Sequence, residues 1–218
     1  WTYAMASLGA RVVATDLTAG GAEVTRAGTQ QFSNVQVLQA SAFELPFRPE
    51  TFDLVVSWGV LHHTPDTRRA FGKVAPFVKR AGQLYIMVYE RHNPLKYFFT
   101  DLIRSFLRRL PEGRRYDACR YLIIKNRFLR RVLSNRIICA AYPPSGDALD
   151  VTTAQLGLFD AYAPVFNHLH TRSEVAGWFT ELGFGDLTLT RPVRFTRPRD
   201  VYYQGECGGS VNMRGTRL

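Results

Sequence analysis

A chain of 218 residues, 46% hydrophobic and 21% charged, can bury the core of one domain and is too apolar to stay disordered. Its formal charge of +10 is unevenly spread: between Arg104 and Arg136 eleven basic residues face only Glu112 and Asp117, a local charge of +9. That pattern implies one basic face rather than a basic protein, and with no recognition motif beside it argues against nucleic-acid binding. Cys119, Cys139 and Cys207 are scattered without a CxxC pair, which argues against a disulfide framework or a zinc site and fits a reducing cytoplasm. No apolar run reaches the roughly 18 residues of a membrane span.

The first segment, Trp1 to Leu8, reads as the end of a helix stopped by Gly9. Residues 11–16 form a β-branched run ending in Asp16, the signature of a buried parallel strand at its carboxyl edge. A weak helix over 20–31 and a short strand from Val35 to Leu38 follow. Ser41 to Pro49 is a loop, and Phe52 to Ser57 a strongly apolar strand. Helical spacing runs from Thr67 to Val78, and Leu84 to Tyr89 is another apolar strand. This alternation predicts right-handed crossovers and a doubly wound, mostly parallel α/β sheet.

After Pro94 the pattern becomes helical and basic to about Ala141. Phe99, Leu102, Ile103, Phe106 and Leu110 share one stripe, with Arg104, Arg108 and Arg109 mostly off it. Tyr142 to Gly146 reads as a linker. Thr171 with Glu174 predicts a capping box for a helix ending at Gly183. Strands are expected near Asp186–Thr190 and Val201–Gln204. The organisation expected is a core over 1–92, an Arg-rich helical insert over 93–150 and the rest of the core over 151–218.

Ligands of open α/β sheets bind beyond the carboxyl ends of the strands. Asp16, at the first such end, can accept both hydroxyls of a ribose or cap the next turn. Ser41-Ala42-Phe43 can wall an adenine ring, or Leu45 and Phe47 of the same loop can plug the core. In Ser57-Trp58-Gly59, the glycine permits close approach of backbone to a ligand. His62 and His63 follow; adjacent side chains are expected to diverge, which disfavours chelation, and one imidazole is expected to bond backbone.

The string Leu45-Pro46-Phe47, then Phe52 to Ser57, then Val60-Leu-His-His-Thr-Pro-Asp66 resembles the class I S-adenosylmethionine-dependent methyltransferases, in the broad group of quinone-biosynthesis and small-molecule enzymes. The resemblance covers residues 1–90 and returns weakly over 160–192. It implies a Rossmann-like fold, S-adenosyl-L-methionine as cofactor, Asp16-Leu17 at the ribose, Ser41, Ala42 and Phe43 at the adenine, and Ser57, Trp58 and Gly59 under the methionine. Trp1 and Thr2 would line the cofactor loop. Ser41 stands where the family usually has Asp, and Lys79-Arg80-Ala81-Gly82 where it has Lys-Pro-Gly-Gly. The family's first strand and glycine-rich loop would lie upstream of Trp1, so a chain clipped at its N-terminus is expected.

Direct methyl displacement needs alignment, and a base only when the acceptor arrives protonated. His63 is the candidate base. His62, Tyr162, His168 and His170 are candidate acceptor contacts, and no metal site is expected. The basic insert reads as a cap over an acidic small molecule, as a face on anionic lipid peripheral to a membrane, or as a solvated surface. Two rival functions remain at this point: an NAD-dependent oxidoreductase sharing Asp16, and a methyltransferase-like module without activity.

Overall fold

The structure, a computed structural model, describes residues 1–91, 94–111, 113–121, 155, 159, 162–190 and 210–218. The expected strand over 201–204, the linker over 142–146 and the insert beyond residue 121 lie outside them. Six strands are described: β1 (Val12–Asp16), β2 (Val35–Gln39), β3 (Phe52–Trp58), β4 (Val78–Tyr89), β5 (Phe184–Leu189) and β6 (Ser210–Arg217). The helices are α1 (Thr2–Ser7), α2 (Ala19–Thr29), α3 (Thr67–Val74) and α4 (Pro94–Leu107), then α5 over 113–121 and α6 (Arg172–Glu181).

The architecture is α/β and Rossmann-like. β1 pairs with β2 in parallel, and β3 with β4 in parallel. β6 runs antiparallel to both β4 and β5, so β3, β4 and β5 share one direction. Among the described residues these strands form two sheets, β1–β2 and β3–β4–β6–β5, instead of the one continuous sheet expected. The sheets part between β1 and β3. The resemblance implies a central strand that is not among the described elements. β6, over residues carrying Asn212, Arg214, Gly215 and Thr216, has no clean alternation of apolar side chains, and the sequence did not mark it as a strand.

The main core lies between the larger sheet and the helices α3 and α6. Phe71 and Val74 of α3, Leu84, Ile86 and Val88 of β4, Val175 and Phe179 of α6, and Met213 of β6 are buried together. The alternation in β4, one residue in two buried, is what a half-covered strand requires. Caps fix where the helices begin. The Thr18 hydroxyl accepts from the Gly21 amide, and the Asp66 carboxylate from the Arg69 amide. Thr171 and Glu174 form the expected capping box, with bonds of 3.2 and 2.7 Å.

The turn Lys79–Gly82 is absorbed into a bulged start of β4, where the register against β3 jumps between Phe52 and Leu54. Ala81 sits there at φ +59°, a conformation that favours glycine.

The segment after β4 differs most from expectation. The predicted inward stripe of α4 is rotated: Leu107 is buried with Cys119 and Tyr162, and Ile103 and Leu110 pack against them, whereas Leu102 and Phe106 face solvent. Arg104, expected off the stripe, is buried. Its guanidinium donates to the Pro164 carbonyl at 2.6 Å, and that bond to the returning chain sets which face turns inward.

Candidate active site

Each predicted cofactor segment closes or follows a strand: Asp16 ends β1, Ser41 follows β2 and Trp58 ends β3. Asp16 closes β1, and its Oδ1 accepts from both the amide and the hydroxyl of Thr18 at 2.8 Å. The turn-capping role of Asp16 is therefore real, and it holds the carboxylate over the start of α2. A side chain at Gly21 would lie 2.4 Å from that carboxylate, so the close approach requires glycine there. Leu17 is exposed beside it.

After β2 the chain enters the Ser41 loop. The Ser41 hydroxyl accepts from the Phe43 amide at 3.2 Å, closing the turn. Ala42, Phe43 and Leu45 pack on the main core, and Arg69 stands over the Phe43 ring at 5.6 Å. Phe47 sits edge-on to Phe52 and Phe77. The loop thus plugs the core, as one of the two readings expected, through Ala42, Phe43 and Leu45 as well as Phe47, and it carries Ser41 and Ala42 just beyond β2.

After β3, Gly59 turns at φ +74°, and its amide donates to the Met87 carbonyl. Ser57 is half-buried. Trp58 meets Trp1 at 5.1 Å and Tyr85 at 5.6 Å between ring centroids, and Trp1 lies 6.0 Å from Tyr85. This aromatic group links the start of α1, with half-buried Thr2 next along, to the edge of the larger sheet. The sequence marked Trp58 and, by resemblance, Trp1, but not Tyr85, and that the three rings meet shows only in the tertiary packing.

The histidines form a second group next to this edge. The chain over 166–170 docks on the 3₁₀ turn Leu61–His63 and on the end of β4. The His168 amide donates to the His62 carbonyl, the His170 amide to the Tyr89 carbonyl, and the Arg91 amide to the His170 carbonyl. His62, His63, His168 and His170 are thereby gathered. His62 and His63 do not diverge as expected; their rings touch at 4.0 Å, and Tyr89 packs on His62 at the same distance. The tight 3₁₀ turn and the Tyr89 ring press them together.

The two adjacent imidazoles differ in degree: His62 is buried whole, whereas His63 is half-buried with its Nε2 turned inside. His62 is fully buried, and among the described residues neither of its ring nitrogens has a hydrogen-bond partner. Burial first, then the imidazoles of His63, His170 and His168, push it down to about 2, so it stays neutral and is a poor base. His63 bonds the Phe166 carbonyl through Nδ1 at 3.0 Å, the backbone bond expected of one of the pair. A carbonyl only accepts, so Nδ1 carries the proton and Nε2 is the basic nitrogen. Burial also lowers His170 despite Glu174 nearby. Tyr162 lies apart, buried with Leu107 and Cys119 beneath α4.

Residues 1–86 match the family described as a methyltransferase domain. An uncharacterised Escherichia coli protein, YafE, is 30% identical over 128 residues, which are 57% of this chain and 61% of YafE. Among solved structures, an S-adenosylmethionine-dependent methyltransferase of Thermotoga maritima superposes with a TM-score of 0.53 at 17% identity, over 98% of this chain and 76% of that one. A second, from Methanosarcina mazei, gives 0.52 at 16% identity, over 99% and 85%. The DszA carbon methyltransferase gives 0.52 at 12% identity; the match covers 98% of this chain and less than half, 42%, of that protein. The family match covers 86 of the 218 residues, and over nearly the whole chain these solved structures share its fold, the fold of class I S-adenosylmethionine-dependent methyltransferases. The cofactor of that class is S-adenosylmethionine.

Proposed function

We propose that the protein transfers a methyl group from S-adenosylmethionine to a small-molecule acceptor by direct displacement. The observation that carries this reading is the placement of Asp16, Ser41–Ala42 and Trp58–Gly59 at or just beyond the carboxyl ends of β1, β2 and β3, the ends at which open α/β sheets bind ligands.

The donor groups suit the cofactor. Asp16 offers a carboxylate to the ribose hydroxyls, held in place through its bonds to Thr18. Ala42 and Phe43 give an apolar wall for adenine, with Ser41 and the loop backbone as its polar side. The positive turn at Gly59 and the half-buried Ser57 leave backbone accessible to the amino-acid end, with Thr2 and Leu17 at the rim. The rings of Trp58, Trp1 and Tyr85 supply the electron-rich faces that attract a cation.

When bound, the cofactor supplies a methyl already activated on a sulfonium. The work left to the chain is to orient the acceptor, exclude water and take a proton from an acceptor that arrives protonated. His63 Nε2 is the base of this account, because the bond from Nδ1 to Phe166 fixes the tautomer. His62, kept neutral by burial, backs His63 instead of titrating. His168 and His170 border the same group from the returning segment. Tyr162, the other predicted acceptor contact, packs against Leu107 of α4 and stands apart from this group.

Incubation of a metabolite extract with methyl-labelled S-adenosylmethionine tests the acceptor class. Label is expected in the small-molecule fraction; label recovered only in protein or nucleic acid would overturn the acceptor assignment. His63→Gln is expected to slow transfer about 100-fold or more without changing cofactor affinity. An unchanged rate would remove His63 from the chemistry.

A further inference from the structure

The helices after β4 present a face that the methyltransferase site does not use. α4 is apolar on two sides. One side, Ile103 and Leu107, packs inward on Cys119 and Tyr162. The other carries Phe98, Leu102 and Phe106, spaced by four residues and therefore in line along the helix; they are 66, 59 and 62% exposed. Tyr121 of α5 is 64% exposed beside them. Between the two helices lies an apolar groove of about 480 Å³, lined by Leu102, Phe106, Leu107, Ala118 and Tyr121, with Arg109 at its rim. Isolated surface apolar residues need no explanation, but a stripe continuous with an apolar groove does.

Charge identifies the occupant. Arg108 and Arg109 in the turn that ends α4, and Arg114 and Arg120 on α5, are exposed, against exposed Asp101 and Asp117. The sequence stays basic onward to Arg136. A second copy of this chain on this face would set arginine against arginine. An apolar stripe bordered by arginines matches an anionic bilayer surface, where aromatic and leucine side chains enter the acyl boundary while guanidinium groups stay at the headgroups. No described helix is long and apolar enough to cross a membrane, so contact would be in the interface plane.

We propose that the α4–α5 face docks on anionic lipid bilayers through Phe98, Leu102, Phe106 and Tyr121, with Arg108, Arg109, Arg114 and Arg120 at the headgroups. The site stands apart from the methyl-transfer reading and is tested without any activity measurement.

Sedimentation of the full chain with vesicles of phosphatidylcholine alone, and of phosphatidylcholine mixed with phosphatidylserine, reads the partition directly. Retention is expected on the anionic vesicles only, and is expected to fall as salt is raised. Phe106→Ser is expected to weaken it about tenfold, the effect of losing most of one buried aromatic side chain. Arg109→Gln is expected to weaken it about fivefold. Both positions are exposed, so the circular dichroism and melting profile should not move; Leu102→Ser gives a second apolar test. Equal retention on neutral vesicles would overturn the role of charge and with it the proposal. No retention on either vesicle would overturn it too, as would a self-association in solution that Phe106→Ser abolishes.

Discussion

The strand-end residues proposed to hold the cofactor and the histidine group are built in different ways. At the strand ends, Asp16 and Ser41 are placed by near neighbours, Thr18 and Phe43, whereas the Trp58–Gly59 end leans on the next strand, through Tyr85 and Met87. The histidine group is assembled from afar, through contacts such as His63 with Phe166, 103 positions apart. A site made of strand ends has its polar groups satisfied locally and keeps an accessible edge. A site made by docking a distant segment buries what it covers, and His62 loses its ability to titrate. Among the described residues of the group only His63 has a ring nitrogen bonded to backbone, through Nδ1 to Phe166, and that bond is why it, and not His62, is the base proposed.

Removing Asp16 tests the strand ends with the largest effect. Asp16→Ala is expected to weaken S-adenosylhomocysteine binding by about 1–3 kcal/mol, the cost of lost hydrogen bonds to a buried polar ligand. Calorimetric titration measures it, and an unchanged affinity would reject the ribose assignment.

The histidine group is probed by pH. The unfolded chain protonates His62 near its ordinary value of 6.5, while the folded chain resists protonation down to about 2. The folded state therefore has its full stability above 6.5 and loses it as pH falls below that value. The loss between about pH 7 and pH 5 is expected to be about 2 kcal/mol from this residue. His62→Leu should flatten that slope in denaturant titrations while changing stability little at neutral pH, because among the described residues the imidazole has no hydrogen bond to lose. A slope unchanged in the variant would show that another group carries it.

Two smaller effects sharpen the picture of the scaffold. Thr171→Ala removes half of the capping box at α6 and is expected to cost about 1 kcal/mol, read as a lower melting temperature. Ala81→Gly relieves the left-handed residue in the bulge of β4 and is expected to stabilise by about 0.5–1 kcal/mol, with cofactor binding unaffected.

Much of the fold was legible in the sequence where local signals agreed. The β-branched runs ending at Asp16 and Ser57 are strands, and Thr171 with Glu174 caps α6, because pattern and turn chemistry act over a few residues. The helix from Thr67 ends early at Val74, since Pro76 tightens the chain into a 3₁₀ turn. What failed to show was long-range. The face of α4 is set by the bond from Arg104 to Pro164, sixty residues later. β6 is a strand because β4 and β5 flank it, not because its own residues alternate. For the site, Asp16, Ser41 and Trp58 were readable from strand ends. The contact of His62 with His63 and Tyr89, and the aromatic group of Trp58 with Trp1 and Tyr85, needed the packed chain.

The most direct test of the central claim is calorimetric titration of the full-length protein with S-adenosylhomocysteine and, separately, with NAD. Saturable binding of the first and none of the second is the result expected from strand ends that present Asp16, Ser41 and Trp58–Gly59. Binding of NAD, or no binding of S-adenosylhomocysteine by folded protein, would contradict it.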